Sequence, residues 1–298
     1  MLSIIICSIN PDYLSAITIS IDQTIGVPYE LIAFNNKNDS KGITTVYNQG
    51  VAKAKYEHLC FVHEDVNFCT NEWGKKIIEQ FKDTDIGLIG VAGSKYKAMI
   101  PSGWRPGTTG RFTKINMIQH FKYSNKTKTH QNINSENESL SHVACIDGLF
   151  FASRKSILQK IPFDEVNLKG FHGYDVDISI AIGQHYKVAV TYDILLEHLS
   201  EGNLNAEWIT STLVLHEKWG SKLPIVIGEI SKIEKMRLEI RTFKNFLKIC
   251  KKFSLFPKAF YALELSGIKK SNYLAYLRMR IMLFNYYPHR ILERKIFQ

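Results

Sequence analysis

The first two hundred residues alternate short apolar runs with longer mixed segments, and this alternation restricts the fold more than any other feature. Strands are predicted at Leu2 to Ile9, Tyr29 to Phe34, His58 to His63, Ile86 to Ala92, Val143 to Phe151 and Lys187 to Tyr192. Helical spacing fills the gaps between the first four, over Asp12 to Gln23, Thr44 to Lys55 and Asn71 to Phe81. Strand, helix, strand with short connections builds an α/β fold, a mostly parallel sheet flanked by helices on both faces. In such sheets ligands bind outside the carboxyl ends of the strands.

Polar groups stand at those ends. The first strand runs into Ser8-Ile9-Asn10-Pro11, the second into Asn35, and the third delivers His63, Glu64 and Asp65 in succession. No glycine-rich turn follows the first strand, so neither a dinucleotide fingerprint nor a phosphate loop is present. The glycines of GLIGVAG, residues 87 to 93, lie within and just after a strand and do not open a helix. Acids at a strand end either hold a hard divalent cation or sit in a solvated turn. Mg²⁺ or Mn²⁺ takes one or two carboxylates together with the phosphate oxygens of a substrate, which would make that substrate a phosphorylated one. A second acidic cluster, Tyr174-Asp175-Val176-Asp177, opens an apolar helix pattern. Its acids suit either the helix dipole or a general base held toward a hydroxyl. His198 follows an apolar strand in LLEHLSEG, as a structural histidine or as a ligand.

Charge separates the chain into two parts. From Ser231 onward there are 16 Lys and Arg against 4 acids, whereas the first 230 residues hold 22 against 24. A near-neutral body with a basic appendage argues against a nucleic-acid-binding body. The five cysteines lack metal-ligand spacing and read as core hydrophobes in a reducing compartment. The N-terminal LSIIICSI reads as a strand and not as a signal peptide, and no apolar stretch has the roughly 18 residues of a spanning helix. A cytoplasmic protein is expected.

The order of these pieces, from Asn10 and Asn35 through YNQG (Tyr47 to Gly50), HEDV, CIDGLFFASRKSI (Cys145 to Ile157), GYDVD and LEHLSEG, resembles the GT-A fold glycosyltransferases. It is most similar to the family 2-like enzymes of bacterial surface-polysaccharide synthesis, over roughly Met1 to Gly220. The resemblance implies a Rossmann-like GT-A sheet over residues 1–225, with a nucleotide-sugar half to about 92 and an acceptor half beyond it. A C-terminal basic helical region would fill 226–298. It further implies Asp65 and His198 as ligands of Mn²⁺ or Mg²⁺, with His63 replacing the first acid of the usual Asp-x-Asp motif. Ser8, Asn10, Asn35, His63, Glu64, Asp147 and Gly148 would line the nucleotide-sugar site, and Tyr174 stands where a Glu is usual. Asp175 would be the general base of an inverting transfer from a nucleoside-diphosphate sugar, UDP-sugar favoured, to a saccharide or lipid-linked saccharide.

The polar region Gly93 to His142 reads as a long loop or lid, and its second part, KYSNKTKTHQNINSENESLSH, lacks apolar periodicity and reads as mobile or partly disordered. Trp104 and Arg105 within the region suit a sugar-stacking or diphosphate-contacting element on the acceptor side, and Tyr174 and Asp177 are likewise expected against the acceptor; Trp104 suits equally well an anchor for the loop. In RTFKNFLKICKKF the apolar Phe243, Phe246, Leu247, Cys250 and Phe253 recur at helical spacing among lysines. That helix and the aromatic SNYLAYLRMRIMLFNYYPHR suit an anionic membrane surface on the cytoplasmic side, or packing on the body or on another copy of the chain, as a homo-oligomer. The alternatives are a nucleic-acid-binding protein using the tail and a sugar nucleotidyltransferase. The first lacks a recognition motif, the second a glycine-rich triphosphate loop.

Overall fold

The structure is a computed structural model in which residues 1–107, 110–122, 126–202 and 204–286 are described. The chain forms two compact units, one of Met1–Lys95 with Arg111–Gly202 and one of Tyr96–Gly110 with Asn203–Gln298. In unit 1, β1 (Leu2–Ser8) leads through α1 (Pro11–Thr24) to β2 (Tyr29–Asn35), and α2 (Ile43–Lys53) leads to β3 (His58–Val62). After β4 (Val66–Phe68) and α3 (Trp73–Gln80) come β5 (Ile86–Gly90) and β6 (Ala92–Ser94). The chain visits unit 2 for β7 (Tyr96–Lys97). It returns for β8 (Thr113–Gln119), β9 (Thr129–Ile133), β10 (Leu140–Val143), β11 (Cys145–Ile146) and β12 (Phe150–Arg154). Then α4 (Lys155–Lys160), α5 (Tyr174–Gly183), β13 (Lys187–Thr191) and β14 (Leu196–His198) complete the unit.

The central sheet has the order β10-β13-β5-β12-β3-β1-β2. Within it β1 is parallel to β2 and β3, and β13 is parallel to β5. β12 enters antiparallel between β3 and β5, and β10 is antiparallel to β13. Ile4, Ile5, Ile6, Phe61 and Leu88 are fully buried, as continuous apolar runs covered on both faces require. Tyr47 and Val51 of α2 and Ile178 and Ile182 of α5 join Phe61 and Phe151 in one core, where the last two rings stack at 4.7 Å. Asn10 caps α1, its Oδ1 accepting from the amides of Asp12 (3.0 Å) and Tyr13 (3.4 Å), with Pro11 in the first turn.

Two expectations are corrected. The region predicted as a loop from Gly93 to His142 carries β8, β9 and β10, and β8 is central to a second sheet of order β11-β6-β8-β14-β4 with β9 on its edge. The strand was hidden because its polar residues are buried and satisfied. Lys114 reaches Ser135 (3.1 Å) and Glu136 (3.1 Å), and Asn116 donates to the carbonyls of Tyr192 (2.8 Å) and Ile194 (3.0 Å). The single strand predicted over Val143 to Phe151 is instead β11 and β12, in different sheets, joined by a turn at Asp147-Gly148. Tyr123, Ser124 and Asn125 of the same region, and Thr108 and Thr109, lie outside the described residues.

Unit 2 contains α6 (Ala206–Trp219), β15 (Ile225–Val226, antiparallel to β7), α7 (Lys232–Lys252), α8 (Phe256–Leu265), α9 (Ile268–Ser271) and α10 (Tyr273–Tyr286). The apolar stripe of α7 is spent inside this unit: Phe243, Phe246, Leu247 and Cys250 pack with Ala259, Leu263 and Met279. A buried polar clasp holds the segment after β7. Lys97 Nζ donates to Ser102 O (2.7 Å), Ser102 Oγ (2.8 Å) and His216 Nε2 (2.9 Å). Glu239 accepts from the Tyr96 hydroxyl (2.5 Å) and the amides of Met99 (2.9 Å) and Ile100 (3.0 Å). Burial pushes the Glu239 carboxyl up and the His216 imidazole well down, so the clasp lives on its hydrogen bonds. Glu239→Ala leaves three buried donors without that acceptor and is expected to cost about 3–5 kcal/mol, read from denaturant unfolding.

No helix among the described residues is long and apolar enough to cross a membrane. Of the predicted basic tail, 287–298 lies outside the described residues, including Tyr287 to Arg290 of the aromatic stretch.

Candidate active site

Three side chains converge beyond the end of β3. A ring nitrogen of His63, a carboxylate oxygen of Asp65 and a ring nitrogen of His198 lie within 4.8 Å of one another. β3 ends at Val62, so His63 and Asp65 fall in the turn before β4. β14 is antiparallel to β4 with His198 paired to Val66, which carries the third group to the same spot.

The neighbours decide which atoms of these groups carry lone pairs. Gln119 Nε2 donates to the carbonyls of His120 and Ser200, both at 2.8 Å, which turns its Oε1 toward His198 Nδ1 at 3.3 Å. With the hydrogen assigned to Nδ1 by this network, a neutral His198 presents the lone pair of Nε2 to Asp65 Oδ2, 3.5 Å away. Two acceptors facing each other suit a cation between them or a proton on the ring. The same Asp65 oxygen accepts from Ser200 Oγ at 2.6 Å. Burial, reinforced by His198, depresses the His63 pKa against the pull of Asp65 and Asp147, so His63 is a neutral, ligand-competent imidazole. Two imidazoles and one oriented carboxylate therefore fit a divalent transition ion.

His63 is seated by Tyr174. Its Nε2 is 2.7 Å from the Tyr174 hydroxyl, which lies 3.1 Å from Gly148 O. A carbonyl only accepts, so the network has the hydroxyl donating to Gly148 and accepting from His63 Nε2–H, leaving His63 Nδ1 bare. Tyr174 opens α5 after Gly173, whose φ of +86° is the left-handed backbone glycine favours. Gly148 has no room for a side chain: a Cβ there would stand 2.2 Å from the Tyr174 hydroxyl. Gly148→Ala is expected to drive the ring off His63 and cost about 1–3 kcal/mol, read from thermal unfolding.

Asp175 follows on the same helix. Part of its surface still meets solvent while protein encloses the rest, and it is the enclosure that controls its titration. Burial first and Asp147 second push its carboxyl up to about 7 from an ordinary 3.8, against the amides of Val176 and Gly148. Asp147 thus acts on both Asp175 and His63. Its own Oδ1 accepts from Leu149 N at 3.0 Å.

The other residues expected here are placed differently. Glu64 faces β1: its Oε2 accepts from Ser8 Oγ (2.6 Å), Ile9 N (3.1 Å) and Asn10 N (3.0 Å) and braces the turn into α1. Ser8 is buried with that hydroxyl engaged, and Asn10 is the helix cap. Asn35 is exposed at the end of β2, in register with Ser8. Tyr174 and Asp177, expected against an acceptor, are buried at 4% and 2% exposure, because α5 is enclosed on nearly every side. Trp104 and Arg105 belong to unit 2, where the Arg105 guanidinium stacks 4.7 Å from the Trp104 ring. There Arg105 helps line a cavity of about 350 Å³ with Trp208, Asn245 and Phe246. No sequence pattern points to Gln119, which lies within the polar region Gly93 to His142, or singles out Ser200 within LLEHLSEG.

A mixed sheet with an acid-bearing turn at the end of its third strand is the GT-A arrangement. Residues 3–214 match the glycosyltransferase-like family, and the chain belongs to that family of enzymes. No curated protein matches it in sequence. Among solved structures, S. aureus TarS (residues 1–349) aligns with a TM-score of 0.52 at 12% identity, covering 96% of this chain and 88% of that one. The same protein in complex with UDP gives 0.50 at 11% identity over the same shares. GalNAc-T7, crystallised with UDP, GalNAc and Mn²⁺, gives 0.50 at 13% identity over 83% of this chain. The chain spans 56% of GalNAc-T7, and at these identities the likeness concerns the fold.

Proposed function

We propose that the chain transfers a sugar from a nucleoside diphosphate, UDP in the first instance, to a hydroxyl of a saccharide or lipid-linked saccharide, with inversion. The observation that carries this reading is one constellation in unit 1: the three-donor cluster of His63, Asp65 and His198 is tied through Tyr174 and Asp147 to Asp175. The UDP complexes of TarS and GalNAc-T7, and Mn²⁺ in the latter, support the choice of donor class and ion.

Asp65, His198 and His63 would hold the cation, and the two imidazoles favour Mn²⁺ over Mg²⁺, which prefers all-oxygen sites. A bound cation would neutralise charge on the departing diphosphate. The chain's own residues do the rest. Tyr174 fixes the His63 ring, and Gln119 and Ser200 fix His198 and Asp65. The Asp175 carboxylate accepts the proton of the acceptor hydroxyl as its oxygen bonds to the anomeric carbon and the bond to the diphosphate oxygen breaks. A base titrating near 7 is matched to this work at neutral pH. The test is product stereochemistry: incubation with a UDP-sugar and a saccharide acceptor should yield the opposite anomer, and a product retaining the donor configuration would exclude single displacement.

A further inference from the structure

Five apolar side chains of α10 stand in solvent: Tyr273 (56% exposed), Leu274 (71%), Leu277 (40%), Ile281 (57%) and Phe284 (44%). At 3.6 residues per turn they fall in one arc of about 100°. Ala275, Tyr276, Met279 and Leu283 on the opposite side are buried in the core of unit 2. The helix is therefore apolar on two faces, and among the described residues only one of them is covered. Arg278, exposed, borders the free arc on one side. Arg280 borders the other, lying 5.9 Å from the Phe284 ring and pairing with Glu264 at 3.6 Å. Lys269 and Lys270 are exposed just before the helix. From Gly267 to Tyr286 there are four Lys and Arg and not one acid.

We propose that this face of α10 rests on an anionic lipid surface, its apolar stripe entering the boundary between headgroups and acyl chains and its cations meeting lipid phosphates. The charge distribution selects this occupant. Two copies of the face brought together would set Lys269, Lys270 and Arg278 against their counterparts, the flanking acid Glu264 being already paired with Arg280, whereas an anionic bilayer supplies the missing sign. The stripe of α7, the other stretch the sequence offers to a membrane surface, is already buried, so the contact belongs to α10. The proposal does not rest on glycosyl transfer, and its test uses no donor.

The test is co-sedimentation of the full chain with vesicles of phosphatidylcholine alone or with about 30 mol% phosphatidylglycerol. Binding to the anionic vesicles should be at least about tenfold stronger and should fall several-fold as salt rises from about 0.1 to about 0.5 M. The exposed double variant Leu277→Ser with Ile281→Ser should keep the wild-type melting curve and lose about tenfold in partition. Equal partition of variant and wild type would overturn the proposal, as would indifference to vesicle charge. A lipid-free dimer in sedimentation velocity that the double variant dissociates would also overturn it, in favour of a contact between copies.

Discussion

Replacing Asp175 by Asn should lower turnover about 10³-fold and raise the melting temperature at pH 8 in the same molecule. The first effect removes the proposed proton acceptor while leaving the donor's KM nearly unchanged, because the base acts in the transition state. The second follows from proton binding. Between 3.8 and about 7 the folded chain holds a proton on Asp175 that the unfolded chain has released, so stability declines as pH rises through this window. Above it, folding carries the whole cost of a carboxylate enclosed beside Asp147, on the order of 2–4 kcal/mol. Asparagine avoids that cost, so its advantage should be full at pH 8, shrink below about 7 and vanish near 4. Wild-type turnover should rise with pH through about 7, and the residual activity of the variant should lack that limb. A variant that melts at the wild-type temperature at pH 8 would show that Asp175 is not strained by its surroundings.

The second large effect concerns the cation. UDP at about 100 times its dissociation constant should stabilise the chain by about 2.7 kcal/mol with Mn²⁺ and much less without it, and Asp65→Ala should erase the difference. His198→Ala and His63→Ala should weaken it in turn, and Mg²⁺ should substitute poorly. Equal shifts with and without Mn²⁺, or an undiminished shift in Asp65→Ala, would place the diphosphate elsewhere.

The two acids in these experiments were legible for different reasons. Asp65 stands at the end of an apolar run that can only be a buried strand, so its place at the edge of the sheet follows from the pattern. Asp175 is legible as a helix start, but its titration depends first on burial and then on Asp147, which stands in the turn between two sheets, and neither is local to the helix. His63 was read as a substitute for an acid; that it joins Asp65 and His198 needed the pairing of β14 with β4, which no local pattern encodes. Gln119 was out of reach because β8 buries Lys114, Asn116 and Gln119 with their polar groups satisfied, leaving only Ile115, Met117 and Ile118 as an apolar signal. The same blindness affected α7 and α10. Both are apolar and basic in sequence, and only the packing of unit 2 shows which of them has spent its apolar face.

The clasp of unit 2 carries a consequence for biosynthesis. Lys97 and His216 are 119 positions apart, and Met99 and Glu239 are 140 apart. At about 5–20 residues per second, a ribosome exposes Lys97 for some 6–24 seconds before its imidazole partner is made, and for longer before α7 supplies the carboxylate. Throughout that interval the ammonium group must stay hydrated, so the strand that bears it cannot be interred while the nascent chain is short. Closure of the clasp therefore waits until α6 and α7 have been made, and a chain that stops before them leaves the Lys97 ammonium group to water.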